Sequence, residues 1–225
     1  MTDKMIQEIL NSMTIIEDSR EQVNDIILKH FNTQGIKHIK RKLEYGDYSF
    51  AVNIPELGPE PISFETKIAV EKKNSLEEIS GNFSNGRENF KEEFQRAADD
   101  KAKLIIMIEQ VIPKELNAIY KKIINALDEN NKPLLKPTEL EILNKCISGI
   151  GSYKDIVNHN YDTNMTPRSF EASLLAFNLR YDTSTWFVPK KISGQFIYNV
   201  FESFLKIELK QLEAEPRKQS EVSTV

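Results

Sequence analysis

The run KLIIMIE at residues 103–109 leaves few folds open to this chain. It is apolar without alternation, the pattern of a strand covered on both faces. It is also far too short to span a bilayer. Directly before it, residues 85–102 (NGRENFKEEFQRAADDKA) predict a strong helix with Phe90, Phe94 and Ala97 on one stripe. A helix feeding a doubly covered strand implies a sheet with helices packed against it.

The rest of the chain extends that pattern. Residues 13–21 (MTIIEDSRE) predict a short apolar strand ending in charge, followed by a helix closed by Gly35. Residues 38–54 and 60–74 read as strands of an antiparallel meander, and Asn74 or Ser75 as the cap of a helix beginning LEEI. Residues 111–152 change character: two helices joined by a polar, proline-containing turn, read as a helical insertion. Thr166 and Pro167 open another helix, TSTWFVP (183–189) is a further strand with Trp186 expected in the core, and 193–214 is a long amphipathic helix. The chain is expected to be one α/β domain over 13–212, with 111–152 inserted and 213–225 a disordered tail.

Composition excludes some classes. Thirty Lys+Arg against thirty-four Asp+Glu give a net charge of −4, unlike a protein that coats nucleic acid through bulk charge. The single cysteine, Cys146, rules out an intrachain disulfide, and it reads as a small buried apolar residue. The N-terminal MTDKMIQEIL lacks the apolar core of a signal peptide, so a soluble, cytoplasmic protein is expected, with no membrane partner.

The chemistry concentrates in two strands that carry charge where a buried strand should not. In IAVEKKNSL (68–76), alternation puts Glu71 and Lys73 on one face and Lys72 on the other. In YGDYSFAV (45–52), Asp47 follows a glycine that permits a tight bend. Pairing these strands would set Asp47 beside Glu71, and two carboxylates with an ammonium suit a hard divalent cation. Such a cation can polarise a phosphodiester and help generate hydroxide, while Lys73 stabilises charge or orients water. A solvated edge-strand ion pair is the competing reading of the same charges.

The order Asp18-Ser19-Arg20-Glu21, Gly46-Asp47-Tyr48, Glu71-Lys72-Lys73 and then Arg87 resembles the XPF-type structure-specific endonucleases. Those belong to the restriction-endonuclease-like PD-(D/E)xK superfamily. The likeness runs over roughly residues 13–205 and leaves 111–152 unmatched; GRENFKEEFQRA and the segment 160–181 look like the shorter bacterial and phage members. It implies a central mixed β-sheet flanked by helices. By the resemblance, Asp18, Asp47 and Glu71 are metal-binding, Lys73 joins them as catalytic, and Arg20, Glu21, Lys72 and Arg87 support phosphate and carboxylates. It further implies Mg2+ or Mn2+ as cofactor and branched, flapped or forked DNA as substrate, in a bacterial or phage-infected cell. Pairing into a homodimer is implied too, although core packing explains most of the stripe on 193–214.

Two positions depart from the pattern. The family's middle arginine is Lys72 here, which keeps charge but loses the bidentate fork. The acidic residue four after the family's lysine is Glu77, where aspartate is usual. ISGIGSYKDIV (147–157) has the outline of a phosphate-holding hairpin, but Asp155 stands where a small residue usually packs. The rival from another class is a non-catalytic junction-binding or partner subunit; retention of all four catalytic-type residues argues against it.

Overall fold

The computed structural model describes residues 2–110, 136, 138, 152–159, 161–163 and 165–214. In chain order the elements are α1 (Asp3–Asn11), β1 (Thr14–Asp18), α2 (Asp25–Gln34), β2 (Lys37–Arg41), β3 (Tyr48–Val52), β4 (Ile62–Ser63) and β5 (Ile68–Lys73). Then come α3 (Leu76–Phe83), α4 (Arg87–Asp99), β6 (Lys103–Gln110), α5 (Tyr153–Val157), α6 (Pro167–Tyr181), β7 (Ser184–Pro189) and α7 (Ser193–Ala214).

Among the described residues the strands form one mixed sheet in the order β2-β1-β3-β5-β6-β7, with β4 paired to β3. β1 and β2 run parallel, β3 is antiparallel to β1, β4 and β5, and β5, β6 and β7 are parallel. The KLIIMIE run is the central parallel strand, with Leu104, Ile106, Met107 and Ile108 all buried. The architecture is the mixed α/β sheet flanked by helices that the sequence implies.

Each face of the sheet has its own core. Ile15, Tyr48, Phe50, Val70 and Met107 face α1, α2 and α7, which contribute Leu10, Phe31, Ile197, Phe201 and Leu205. Ala69, Leu104, Ile106 and Ile108 face α3, α4 and α6. There Phe83, Phe90, Phe94 and Phe177 form an aromatic cluster with ring centroids from 4.5 Å (Phe90–Phe94) to 5.8 Å (Phe83–Phe90) apart. Offset and edge-on pairs of this kind add about 0.5–1.5 kcal/mol each beyond burial. They lock the three helices beneath β5, where Glu71 and Lys73 emerge.

Several local expectations are modified. Residues 38–54 are not one strand: 37–41 form the edge strand β2, and the chain then turns before β3 starts at Tyr48. The turn is fixed by Asp18, whose carboxylate accepts the Leu43 N–H at 2.9 Å, and by Gly46 at φ +69°. The meander is therefore β3-β4-β5 only. Trp186 is not in the core. It lies on β7, the outermost of the described strands, is 53% exposed, and rests against the ring of Phe196 at 5.9 Å. Asp155 closes a capping box with Ser152 at the start of α5, which explains a buried acid at that position. The expected insertion lies outside the described residues except Lys136, Thr138 and Ser152, as do residues 215–225; α7 runs to Ala214. Among the described residues no helix is long and apolar enough to cross a membrane.

Candidate active site

Sheet topology gathers the charged residues at one end of the interior strands. Because β3 is antiparallel to both β1 and β5, its start meets the ends of those strands. The Asp47 N–H donates to the Val70 carbonyl at 2.8 Å, and the Asp47 carbonyl accepts the Asp18 N–H at 2.8 Å. Asp47 is thus held by backbone on both sides before its carboxylate does anything. One carboxylate oxygen then accepts the Lys72 N–H at 2.7 Å. Gly46 makes this approach possible: a Cβ there would lie 2.8 Å from the Ala69 Cβ and 3.3 Å from the Val70 carbonyl oxygen, on a left-handed backbone.

The side chains of β5 divide as strand alternation requires. Glu71 and Lys73 project to the α3/α4/α6 side and form an ion pair at 2.6 Å. The Lys73 ammonium lies 5.0 Å from the Phe90 ring centroid, a cation–π contact that also covers its stem. Lys72 points to the opposite face, where its fully buried ammonium donates to Asn74 at 2.9 Å and Glu21 at 3.3 Å. Lys72 therefore reaches the site through its backbone N–H, and its side chain ties the strand end to the Glu21 loop.

Asp18 has a different occupation. One oxygen accepts the Arg20 backbone N–H (2.7 Å) and Nε (2.9 Å); the other accepts Arg20 Nη2 (2.6 Å) and the Leu43 N–H (2.9 Å). A carboxylate offers about four lone-pair sites, and all four are in use. Burial works against the charged form of Asp18, but the Arg20 and Leu43 hydrogen bonds outweigh it and hold the acid below its ordinary value. Arg20, with a 60% exposed side chain, is thereby fixed at the rim and also donates to the Leu43 carbonyl at 2.8 Å.

Asp47 and Glu71 lie at the other electrostatic extreme. Burial pushes Asp47 up to about 7; Lys73 opposes the shift, while Glu21 and Glu93 add to it. Burial and then the Asp47 charge raise Glu71 well above the carboxylate range, against the pull of Lys73. Lys73 is held above its ordinary value, because Glu71 and Asp47 outweigh the cost of its burial. Two carboxylates thus share one ammonium, an arrangement short of positive charge.

Among the described residues no group of three or more His, Cys, Asp or Glu side chains is disposed to enclose a metal ion. A divalent cation can also be held by one or two carboxylates, with water and substrate phosphate completing its shell. Asp47 and Glu71 are the pair with the chemistry to hold it. Asp18, with its lone pairs committed, is not free in this arrangement.

Arg87 sits apart from the carboxylates. Its Nη1 donates to the Phe83 carbonyl (3.0 Å) and to the Ser173 hydroxyl (3.3 Å), and its guanidinium lies 5.6 Å from the Phe177 ring centroid. It closes the C-terminus of α3 and ties α3 to α6.

Three residues near the site escaped the sequence reading. Glu78, not Glu77, reaches Lys73, at 3.7 Å, while holding the Asn74 N–H and side-chain amide. The SLEE cap signal could have found it. Glu77 instead accepts the Asp162 N–H. Asn74 was read only as a cap, yet it receives the Lys72 ammonium. Glu93 accepts the Gly46 N–H at 2.9 Å and acts electrostatically on Arg20, Asp47 and Glu71. No spacing in the sequence relates position 93 to position 46.

Comparison with known proteins bears on this arrangement. Among solved structures, XPF from Aeropyrum pernix is 17% identical, with a TM-score of 0.45 over 89% of this chain and 67% of that one. XPF from Aeropyrum pernix in complex with DNA is also 17% identical, with a TM-score of 0.47 over 88% and 66%. The chain spans about two thirds of the length of those proteins. No curated protein sequence matches it. A family model of the ERCC4 domain matches residues 17–200, from the end of β1 into α7. The chain belongs to the ERCC4 domain family, the XPF-type nucleases.

Proposed function

We propose that this protein is a divalent-metal-dependent DNA endonuclease that hydrolyses phosphodiester bonds in branched, flapped or forked DNA. The observation that carries the reading is the Glu71–Lys73 ion pair beside Asp47, at the ends of interior strands where carboxylates outnumber cations, in a member of the ERCC4 domain family. Asp47 and Glu71 would hold Mg2+ or Mn2+, which would supply a water of lowered pKa and offset charge on the scissile phosphate. Lys73, kept protonated by its two carboxylate neighbours, donates to the phosphate oxygen that gains charge. Arg20, its Nε and Nη2 held by Asp18 and Leu43, presents Nη1 from the rim to a phosphate of the DNA backbone as a charge-assisted donor.

In this reading Asp18 enters as the holder of Arg20 and of the turn at Leu43, not as a metal ligand. Glu21 and Lys72 brace the end of β5 from the opposite face, and Arg87 joins α3 to α6. The protein pairs with a second copy through the apolar groove of about 510 Å³ between α7 and the β6–β7 edge, lined by Trp186, Phe196, Val200, Phe204 and Ile207. It works in the cytoplasm of a bacterial or phage-infected cell.

The test incubates the protein with a labelled flap, a fork and plain duplex in magnesium or EDTA. Cleavage of the branched substrates in magnesium alone, lost in Glu71→Gln, is the expected result. Metal-independent cutting, or full activity in Glu71→Gln, overturns it. Fork binding without cleavage in any divalent metal supports the non-catalytic subunit instead. Light scattering on wild type and Ile207→Asp tests the pairing: a dimer that the variant splits is expected, and a wild-type monomer refutes it.

A further inference from the structure

The loop that carries Asp47 is gripped by α4 at three consecutive residues. Arg96 Nε donates to the Glu44 carbonyl at 3.1 Å, the Tyr45 hydroxyl donates to Asp100 at 3.0 Å, and the Gly46 N–H donates to Glu93 Oε1 at 2.9 Å. Positions 93, 96 and 100 fall on one side of the helix by their spacing of three and four. The stripe Phe90, Phe94 and Ala97 is buried against the sheet. One helix therefore packs beneath β5 and holds the approach to β3. Its Phe90 also supports Lys73.

Of the three grips, the one at Glu93 is nearest the chemistry. Gly46 is buried, wedged so close to Ala69 and Val70 that it tolerates no side chain, and its N–H has Glu93 as its acceptor. The next residue is Asp47. Without an acceptor for it, a buried N–H would be left without a partner, and the Tyr45–Gly46 peptide, which leads into Asp47, would be free to turn toward water.

We propose that Glu93 is a positioning residue for Asp47: by accepting the Gly46 N–H, it fixes the Tyr45–Gly46 peptide, through which the chain enters the Asp47 position. The inference rests on the metal-dependent reading of the site. It predicts that the hydrogen-bond acceptor at position 93 matters, and that the negative charge there does not.

Wild type, Glu93→Ala and Glu93→Gln are compared in two measurements. The first is hydrogen exchange of the Gly46 amide by NMR without metal. The second is the dissociation constant for Mn2+ by calorimetry, with kcat and KM on a cleaved flap. Glutamine keeps an acceptor oxygen; alanine removes it. Exchange at Gly46 should accelerate in Glu93→Ala only. Loss of outer-shell support of this kind costs about 10–100-fold, so Mn2+ affinity and kcat should fall by that factor in Glu93→Ala, with KM for DNA little changed. Glu93→Gln should stay near wild type in all of these. A Gln variant as weak as Ala while Gly46 remains protected overturns the proposal, since charge is then what counts. An Ala variant indistinguishable from wild type overturns it too. Should Glu93→Ala fail to fold by circular dichroism, Glu93→Met keeps the stem and repeats the test. A wild type that binds no Mn2+ refutes the metal reading itself, an outcome separable because the Gly46 exchange data still report the hydrogen bond.

Discussion

Asp47→Asn should make the metal-free protein more stable at pH 8, although it removes a residue of the proposed active site. Asp47 Oδ2 accepts the Lys72 N–H at 2.7 Å, and an asparagine oxygen can keep that bond. What changes is charge. Burial pushes Asp47 from 3.8 up to about 7. Between those values the folded state binds a proton that the unfolded chain has lost. Stability is therefore fully present below about pH 4, falls as pH rises toward 7, and stays low above it. At 1.36 kcal/mol per pKa unit the loss has a ceiling of about 4 kcal/mol. Asp47 keeps some solvent access, and screening reduces the expected effect to about 1–2 kcal/mol. For a chain of this size that is about 2–8 °C in Tm. The assay is thermal unfolding by circular dichroism in EDTA at pH 4 and pH 8. Asp47→Asn should melt higher than wild type at pH 8 and equal to it at pH 4. Millimolar Mg2+ should raise the wild type at pH 8 and leave the variant nearly unmoved, since only a bound ligand shifts the folding equilibrium. A variant less stable than wild type at pH 8, or a difference independent of pH, would refute the reasoning.

Three further substitutions probe the surroundings. Gly46→Ala puts a methyl 2.8 Å from the Ala69 Cβ at φ +69°, and overpacking of that kind should cost about 1–3 kcal/mol in urea unfolding and displace Asp47 enough to abolish cleavage. Lys72→Met leaves the largely buried Glu21 without its ammonium, so Tm should fall by an amount equivalent to about 3 kcal/mol, while Mn2+ binding persists because the backbone N–H to Asp47 survives. Asp18→Ala frees Arg20 and the Leu43 N–H; it should destabilise above pH 4 and lose that effect as pH falls, because the native acid is held below its ordinary value. Calorimetry on Asp18→Ala should still detect a bound Mn2+, and its loss would return Asp18 to the ligand set.

Much of this was readable from the residues. Alternation along β5 separates Glu71 and Lys73 from Lys72 in any strand, whatever surrounds it, so that division needs no tertiary information. Thr166 and Pro167 at the start of α6, and Gly35 at the end of α2, are local signals that act locally. Long-range closure was not readable. The N–H of Gly46 is satisfied from position 93, and Asp18 spends its lone pairs on residues 20 and 43; both depend on how strands and helices meet in space. Trp186 failed for a related reason. Its sequence neighbours are those of a buried strand, but β7 is the outermost of the described strands, and position in the sheet is not written into the strand itself.

The placement of charge across the sheet explains why one side is suited to a cation and the other is not. Register pairs Glu71 with Ile106 and Lys73 with Ile108, so Lys72 shares its face with Met107 and Glu109. On that face, among the described residues, buried charges are paired: Lys72 with Glu21, Glu109 with Lys190 at 3.1 Å, and Glu17 with Lys40 at 3.1 Å. Those pairs brace strand ends. On the other face Asp47 and Glu71 act on each other, with Lys73 the ammonium paired to Glu71 and Arg20 already committed to Asp18. A burial that leaves negative charge uncompensated is costly unless protons or a cation make it good, and at neutral pH a divalent cation does so more completely than a proton. The Glu109 carboxylate, although on the adjacent strand and equally deep, cannot join them, because one residue of strand parity turns it to the balanced side.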